Sequence, residues 1–365
     1  MTPLLQNILS FYDGHKKSAP VLFFFGGFTW DSFTLKRIDR WLDNLVLLSY
    51  ILLLGGLIVL VNLIDIGKIK NAFILKYRTW YPLGLQFFMG GLFSAYVVFY
   101  FQSASLSKTS LFVGLLVILL VANEFLEKRL RNLYLLISLY FLASFSFFIF
   151  FIPVTTKAMN VYTFQAGGLL SLILVAGILF LFNKQGILRS RKQVILTGTP
   201  VAILFVLLNL LYTMNWIPPV PLSLRSGGIY HHVSKHRDSD LFVLKFEQPK
   251  WFQFWKKSDG PFHYEKGDTV HCFTAIFAPT RLTKRIFHHW QKYFPRRKKW
   301  VTTDRLGYFI TGYRDGGYRG VTRKVNVSPG KWRVDVETEE GLLLGRINFK
   351  IKAVASKVPL KTVYR

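Results

Sequence analysis

The chain has 365 residues, 51% hydrophobic and 17% aromatic, with 47 Lys+Arg against 19 Asp+Glu for a formal net charge of +28. So much apolar sequence excludes an ordinary soluble two-domain protein and points to a partly membrane-embedded chain, while the basic excess favours anionic partners: lipid headgroups, acidic envelope polymers or nucleic acid. The single cysteine, Cys272, excludes an internal disulfide and a thiolate metal cluster within one chain.

At the N-terminus LLQNILSF is too short, and lacks the preceding basic region, to read as a cleavable signal peptide. The apolar run Ala19–Trp30 (APVLFFFGGFTW) meets Asp31 and is too short to span comfortably. It is expected as a re-entrant or interfacial segment, or as a seventh, broken span, within an N-terminal segment 1–41.

Six uncharged stretches follow: Leu45–Ile64, Tyr81–Ser107, Thr109–Asn123, Asn132–Thr156, Ala158–Asn183 and Gln193–Leu224. All but the third supply the roughly 20 apolar residues a spanning helix needs. The expected architecture is therefore a membrane all-α bundle of six or seven transmembrane helices over 42–214. In the third, Glu124 can pair with Lys128 while the lysine snorkels to the interface. The loops on one side hold 11 Lys and Arg (Lys68, Lys70, Lys76, Arg78, Lys128, Arg129, Arg131, Lys184, Arg189, Arg191 and Lys192), those opposite only Lys108 and Lys157. Lys36, Arg37 and Arg40 raise the opposite side to five, so six spans place the C-terminal half outside the cytoplasm of a bacterial inner-membrane protein.

Ionisable residues are nearly absent from the middle of these stretches, which argues against a transport or catalytic site in the bundle. Asp65 and Glu124 read as interfacial anchors. The pairs Gly55-Gly56, Gly90-Gly91 and Gly167-Gly168 read as helix-packing contacts, because none is followed by the Lys-Ser/Thr of a phosphate cradle. Pro218, Pro219 and Pro221 open a stiff linker, expected over 215–240.

Beyond it the pattern changes to alternation. In KWRVDVE (Lys331–Glu337) Trp332, Val334 and Val336 share one face, TEEG (Thr338–Gly341) makes a turn, and Leu342–Lys352 returns with Ile347, Phe349 and Ile351 on one face. Further strands are expected at Leu241–Phe246, Thr269–Phe277, Arg285–Tyr293, Trp300–Thr303, Leu306–Tyr313 and Gly320–Val327, separated by Gly- and Pro-containing turns. The sum is an all-β antiparallel sandwich over 241–365.

The segments HCFTAIFAP (His271–Pro279), RIFHHW (Arg285–Trp290), GYRDGGYRG (Gly312–Gly320), SPGKWRVDVET (Ser328–Thr338) and GLLLGRINF (Gly341–Phe349), in that order, resemble the bacterial family called domain of unknown function 2914. Proteins of that family often carry the domain after a multi-span membrane region. The resemblance implies a fold and a location; it implies no catalytic residue.

No nucleophile elbow or paired general acid and base is legible, and no cofactor or metal is expected. The histidines of HHVSKH (His231, His232, His236) lack a carboxylate nearby in sequence, and neighbours His288 and His289 face opposite ways on a strand. The binding candidates are RIFHHWQKYFPRRKKW, through His288, His289, Trp290, Arg296, Arg297, Lys298 and Lys299, and WFQFW, through Trp251 and Trp255. In that reading His288 packs inward with Ile286 and Trp290, Phe294–Lys299 is a basic loop, and the phenylalanines of WFQFW are buried with its tryptophans at an interface. Outside the cytoplasm the expected partners are the lipid bilayer, an anionic envelope polymer or an acidic partner protein, and nucleic acid is not expected. The rival expectation is a transporter or enzyme within the bundle, built on Asn62, Gln86, Asn123 and Gln165 converging on one cavity.

Overall fold

A computed structural model describes residues 29, 33 and 38–365, except 79, 104–109, 126–131, 237–240, 254–255, 266, 280, 313–315 and 357. Ala19–Trp30, but for Thr29, and the Glu124–Lys128 pair lie outside the described residues. The chain divides into two units, the helical one over most of 1–214 and the β-rich one over 215–365 with two short upstream pieces.

The helical unit contains α1 (Trp41–Asp65), α2 (Ala72–Lys76), α3 (Tyr81–Ser103), α4 (Ser110–Phe125), α5 (Leu133–Thr156), α6 (Val161–Lys184) and α7 (Arg191–Thr213). Among the described residues five of these, α1, α3, α5, α6 and α7, are long and apolar enough to cross a membrane, and α4 is a shorter apolar helix. The expected six or seven spans thus correspond to five full-length candidates and one short one; its 16 residues rise about 24 Å, less than the hydrocarbon thickness. α5 is the most enclosed, with Phe141, Phe145, Phe147 and Phe150 fully covered. The glycine pairs work as the sequence predicts at Gly55 and Gly168, where an added Cβ would lie 2.7 Å from the Tyr140 hydroxyl and 2.6 Å from the Phe205 ring. Asp65 is anchored by Arg78 at 2.8 Å.

Among its described residues the β-rich unit has eleven strands: β1 (Ser223–Tyr230), β2 (His232–Lys235), β3 (Phe242–Glu247), β4 (Pro261–Tyr264), β5 (Val270–Phe277), β6 (Thr283–Phe294), β7 (Lys299–Thr311), β8 (Tyr318–Lys324), β9 (Gly330–Thr338), β10 (Leu343–Ala353) and β11 (Leu360–Tyr364). They form three sheets with orders β1-β5-β8, β4-β10-β9-β6-β7 and β11-β3-β2. Three corrections to the expected antiparallel sandwich follow. β4 runs parallel to β10. The linker expected over 215–240 contains β1 and β2. The sheets make three layers rather than two. The middle layer is set by β5, whose Cys272 and Ile276 pack against the five-stranded sheet through Trp290, Trp332, Val334, Val336 and Phe349, while Phe273 and Ala275 pack against Leu244 and Phe246 of the third sheet. A strand buried on both faces loses its alternation, which is why HCFTAIF is nearly continuous in apolar residues.

β6 and β7 pair over twelve positions, with a bulge between Trp290 and Gln291. The two strands expected at Trp300–Thr303 and Leu306–Tyr313 are one strand bent at this bulge.

Candidate functional site

The β6–β7 hairpin turns through a single 3₁₀ turn at Pro295–Arg297, with Lys298 in the left-handed conformation (φ 49°) closing it. Pro295 starts that turn because its fixed φ suits the first helical position. Arg296, Arg297, Lys298 and Lys299 are all exposed, as the sequence predicts for a basic loop.

Beside the tip lies the outer face of the five-stranded sheet. Tyr293 pairs with Trp300, their rings 5.3 Å apart. The Lys331 ammonium sits 5.9 Å from the Tyr293 ring, and Lys331 is the cross-strand partner of Lys350. Like charges placed directly opposite cost stability unless something anionic neutralises them. The Arg333 guanidinium stacks 4.4 Å from the Trp300 ring centroid and its Nε donates to Gln291 Oε1 at 2.5 Å.

Farther from the tip the charges are already matched. Asp335 accepts two bonds from Arg346 at 2.6 and 2.7 Å, and Glu337 accepts from Arg305 at 2.8 Å. Lys324 is paired with Asp304 and Lys284 with Glu340. Burial would raise the Glu340 pKa, but the lysine bond overrides it and holds the carboxyl below its usual range. Among the described residues these pairings leave Arg296, Arg297, Lys298, Lys299, Lys331 and Lys350 without an acidic partner.

Of the predicted binding residues, two fall inside the domain. His288 and Trp290 are fully buried and cannot touch a polymer. His288 Nδ1 meets Thr322 Oγ1 at 2.8 Å, and its Nε2 meets Thr274 Oγ1 at 2.9 Å and the Tyr308 hydroxyl at 3.0 Å. Every partner is a hydroxyl, able to donate or accept, so the ring is satisfied while neutral, and burial pushes its pKa down to about 3. Trp290 donates to Thr322 Oγ1 at 3.2 Å. His289 is half-buried, 2.7 Å from Thr302 Oγ1. Trp251 is 93% exposed and Phe252, expected to be buried, is 45% exposed, because Trp251 and Phe252 lie in a turn and not in a strand. Phe254 and Trp255 lie outside the described residues.

HHVSKH does not gather its histidines. His232 faces His271 with ring centroids 5.9 Å apart, and His236 faces Tyr364 at the same separation. His231 instead joins residues from other strands. Its Nδ1 lies 2.9 Å from Asp259 Oδ2 and its Nε2 is 3.2 Å from the His263 carbonyl oxygen. Glu247, at the end of β3, completes the group, and the ligating atoms of His231, Glu247 and Asp259 all lie within 4.8 Å of one another. Sequence reasoning missed this cluster because its members are separated by up to 28 positions.

Residues 283–351 match the family described as Protein of unknown function (DUF2914). The chain carries a DUF2914 domain. The match runs from β6 to near the end of β10, so this DUF2914 domain contains the hairpin, the aromatic pair and the opposed lysines Lys331 and Lys350. No curated protein matches the chain. Among solved structures, the Pseudomonas fluorescens alkylpurine DNA glycosylase AlkC bound to DNA containing an abasic site analog is 10% identical, with a TM-score of 0.23, over 87% of this chain and 99% of that one, a likeness too slight to assign a fold.

Proposed function

We propose that the helical unit anchors the β-rich unit in a bacterial inner membrane, and that the β-rich unit lies outside the cytoplasm and binds an anionic envelope polymer through the β6–β7 tip. The observation that carries the binding reading is the concentration, around one hairpin end and next to an aromatic pair, of six cations without acidic partners among the described residues. A solvated charge run needs neither the opposed lysines nor the neighbouring rings.

Orientation is supported whether or not α4 crosses. With six spans, the side away from the β-rich unit carries 11 Lys and Arg against five, counting Lys36, Arg37 and Arg40 on the β-unit side. With five, that same far side collects Lys36, Arg37, Arg40, Lys108, Lys128, Arg129, Arg131, Lys184, Arg189, Arg191 and Lys192, again 11, against Lys68, Lys70, Lys76, Arg78 and Lys157. Both counts favour an extracytoplasmic β-rich unit.

The rival, a transporter or enzyme in the bundle, asked for converging polar groups. Asn62 instead donates to the Ile58 carbonyl of its own helix at 2.8 Å, and Gln165 donates to Asn209 at 2.6 Å. The Asn123 side chain lies outside the described residues.

The test is binding of the full-length protein in neutral detergent to soluble polyglutamate and to vesicles containing anionic lipid, across a salt series. A cation near an anionic surface contributes about 1 kcal/mol, so replacing Arg296, Arg297, Lys298 and Lys299 by alanine should weaken polymer binding by roughly three orders of magnitude and flatten its salt dependence. An unchanged salt slope sinks the reading. Preference for vesicles over polymer would transfer the site to lipid headgroups.

A further inference from the structure

We infer that His231, Glu247 and Asp259 form a binding site for one first-row divalent metal ion, with zinc the natural probe, at the junction of β1, β3 and the segment before β4. The His231 Nε2 faces the His263 carbonyl oxygen, which can only accept, so Nε2 carries a proton. A neutral imidazole then presents a bare lone pair at Nδ1, yet Nδ1 lies 2.9 Å from Asp259 Oδ2, another acceptor. Two lone pairs at that separation need a cation between them: a proton, carried by the ring or by the carboxyl, or a metal ion.

Three features match a metal. The Nε2–H to carbonyl bond fixes the tautomer and ring orientation as it does for metal-ligating histidines generally. The ring is further held by stacking on Phe262, centroids 4.0 Å apart at 11°. Asp259 and Glu247 are 2% and 7% exposed, so two carboxylates sit together away from water, where a 2+ ion would cancel both charges. Both carboxylates are also oriented. Asp259 Oδ1 accepts the Glu247 backbone N–H at 2.8 Å, and Glu247 Oε1 accepts the His263 backbone N–H at 2.8 Å with the His263 Nδ1 3.0 Å away. Lys256 Nζ stands 3.5 Å from Glu247 Oε2 and is the competing cation. One imidazole with two carboxylates is a borderline-hard donor set, suited to zinc, manganese or iron rather than to calcium or copper(I). The ion would tie β3 to the start of β4 and so close the 248–258 segment that carries Trp251.

This site is independent of polymer binding at the hairpin. The full-length protein in detergent, stripped with EDTA and desalted, is titrated with zinc against a chromophoric chelator, with heats measured in buffers of different ionisation enthalpy. The expected result is one saturable equivalent per chain, with release of the proton that otherwise bridges Nδ1 and Oδ2. Asp259→Asn and His231→Gln should each abolish that equivalent, and His236→Gln should leave it. Cobalt(II) is also added to the unaltered protein, where visible d–d absorption displaced by zinc is expected whether or not the variants fold. Failure of the unaltered protein to bind zinc saturably, or binding that survives both Asp259→Asn and His231→Gln, would overturn the assignment in favour of a proton-bridged ion pair.

Discussion

Gly312→Ala should abolish stable folding of the β-rich unit, while Gly316→Ala, four residues away in the same GYRDGGYRG motif, should be tolerated. A Cβ at Gly312 would lie 1.7 Å from the Pro279 carbonyl oxygen and 2.6 Å from that of Ala278. Both obstacles are backbone, so neither can swing aside. The overlap also falls on a working junction, where Gly312 N–H donates to the Leu282 carbonyl at 3.0 Å and the Gly312 carbonyl accepts from Arg281 N–H at 2.8 Å. Ordinary overpacking costs about 1–3 kcal/mol, and a forced parting of two backbone segments with loss of both bonds exceeds that, by about another 2 kcal/mol. At Gly316 the nearest atom is the far end of Arg319, 3.8 Å away, and the change should stay within about 0.5 kcal/mol. Thermal melting of the full-length variants, followed by tryptophan fluorescence, checks the contrast. Equal melting temperatures for the two would show that the Pro279 segment is free to move.

The second large effect concerns His288 and acid. Its folded pKa, about 3, lies below the ordinary histidine value of 6.5 because burial disfavours the charged ring. The unfolded chain therefore binds a proton at His288 below pH 6.5 that the folded chain refuses, and stability present above that pH drains away as pH falls toward 3. At pH 5 the loss relative to neutral pH is about 2 kcal/mol from this group alone, from 1.36 kcal/mol per unit of separation. His288→Asn removes the titration and should flatten the melting temperature between pH 7 and 5. It should also lower stability at neutral pH by about 2–3 kcal/mol, because the shorter amide leaves space beside Tyr308 and at least one of the Thr274, Tyr308 and Thr322 hydroxyls unpaired. An acid-sensitivity profile identical to that of the unaltered protein would place the proton uptake elsewhere.

These two residues also show what a sequence reveals. The alternation in KWRVDVE and in the strand after it was enough to place β9, its turn and β10, because one face of that hairpin is buried and the other is not. GYRDGGYRG was recognisable as a motif, but its reason is steric. Gly317 needs a positive φ (83°) against the Ile276 backbone, and a Cβ at Gly320 would meet the Tyr308 ring at 2.1 Å. Residues 223–235 read as linker because SLRSGGIY is weak in strand formers. Gly228 is there because a Cβ would come 2.4 Å from the Ser258 side chain, a close approach invisible to local propensity. The inward direction of His288 followed from period two; the hydroxyl cage around it did not, since Thr274, Tyr308 and Thr322 come from three other strands. The basic tip was legible as a charge run. Its continuation into Lys331 and Lys350 depended on register, which only the pairing of β9 with β10 supplies.

The most direct test of the account is the side of the membrane on which the β-rich unit lies. Alkaline phosphatase and a fluorescent protein that matures only in the cytoplasm are fused in parallel after Arg365. Active phosphatase with a dark fluorescent partner is the predicted result, and puts RIFHHWQKYFPRRKKW within reach of envelope polymers. A bright fluorescent fusion with inactive phosphatase would contradict it, because the tip would then face nucleic acid and the cytoplasmic leaflet instead.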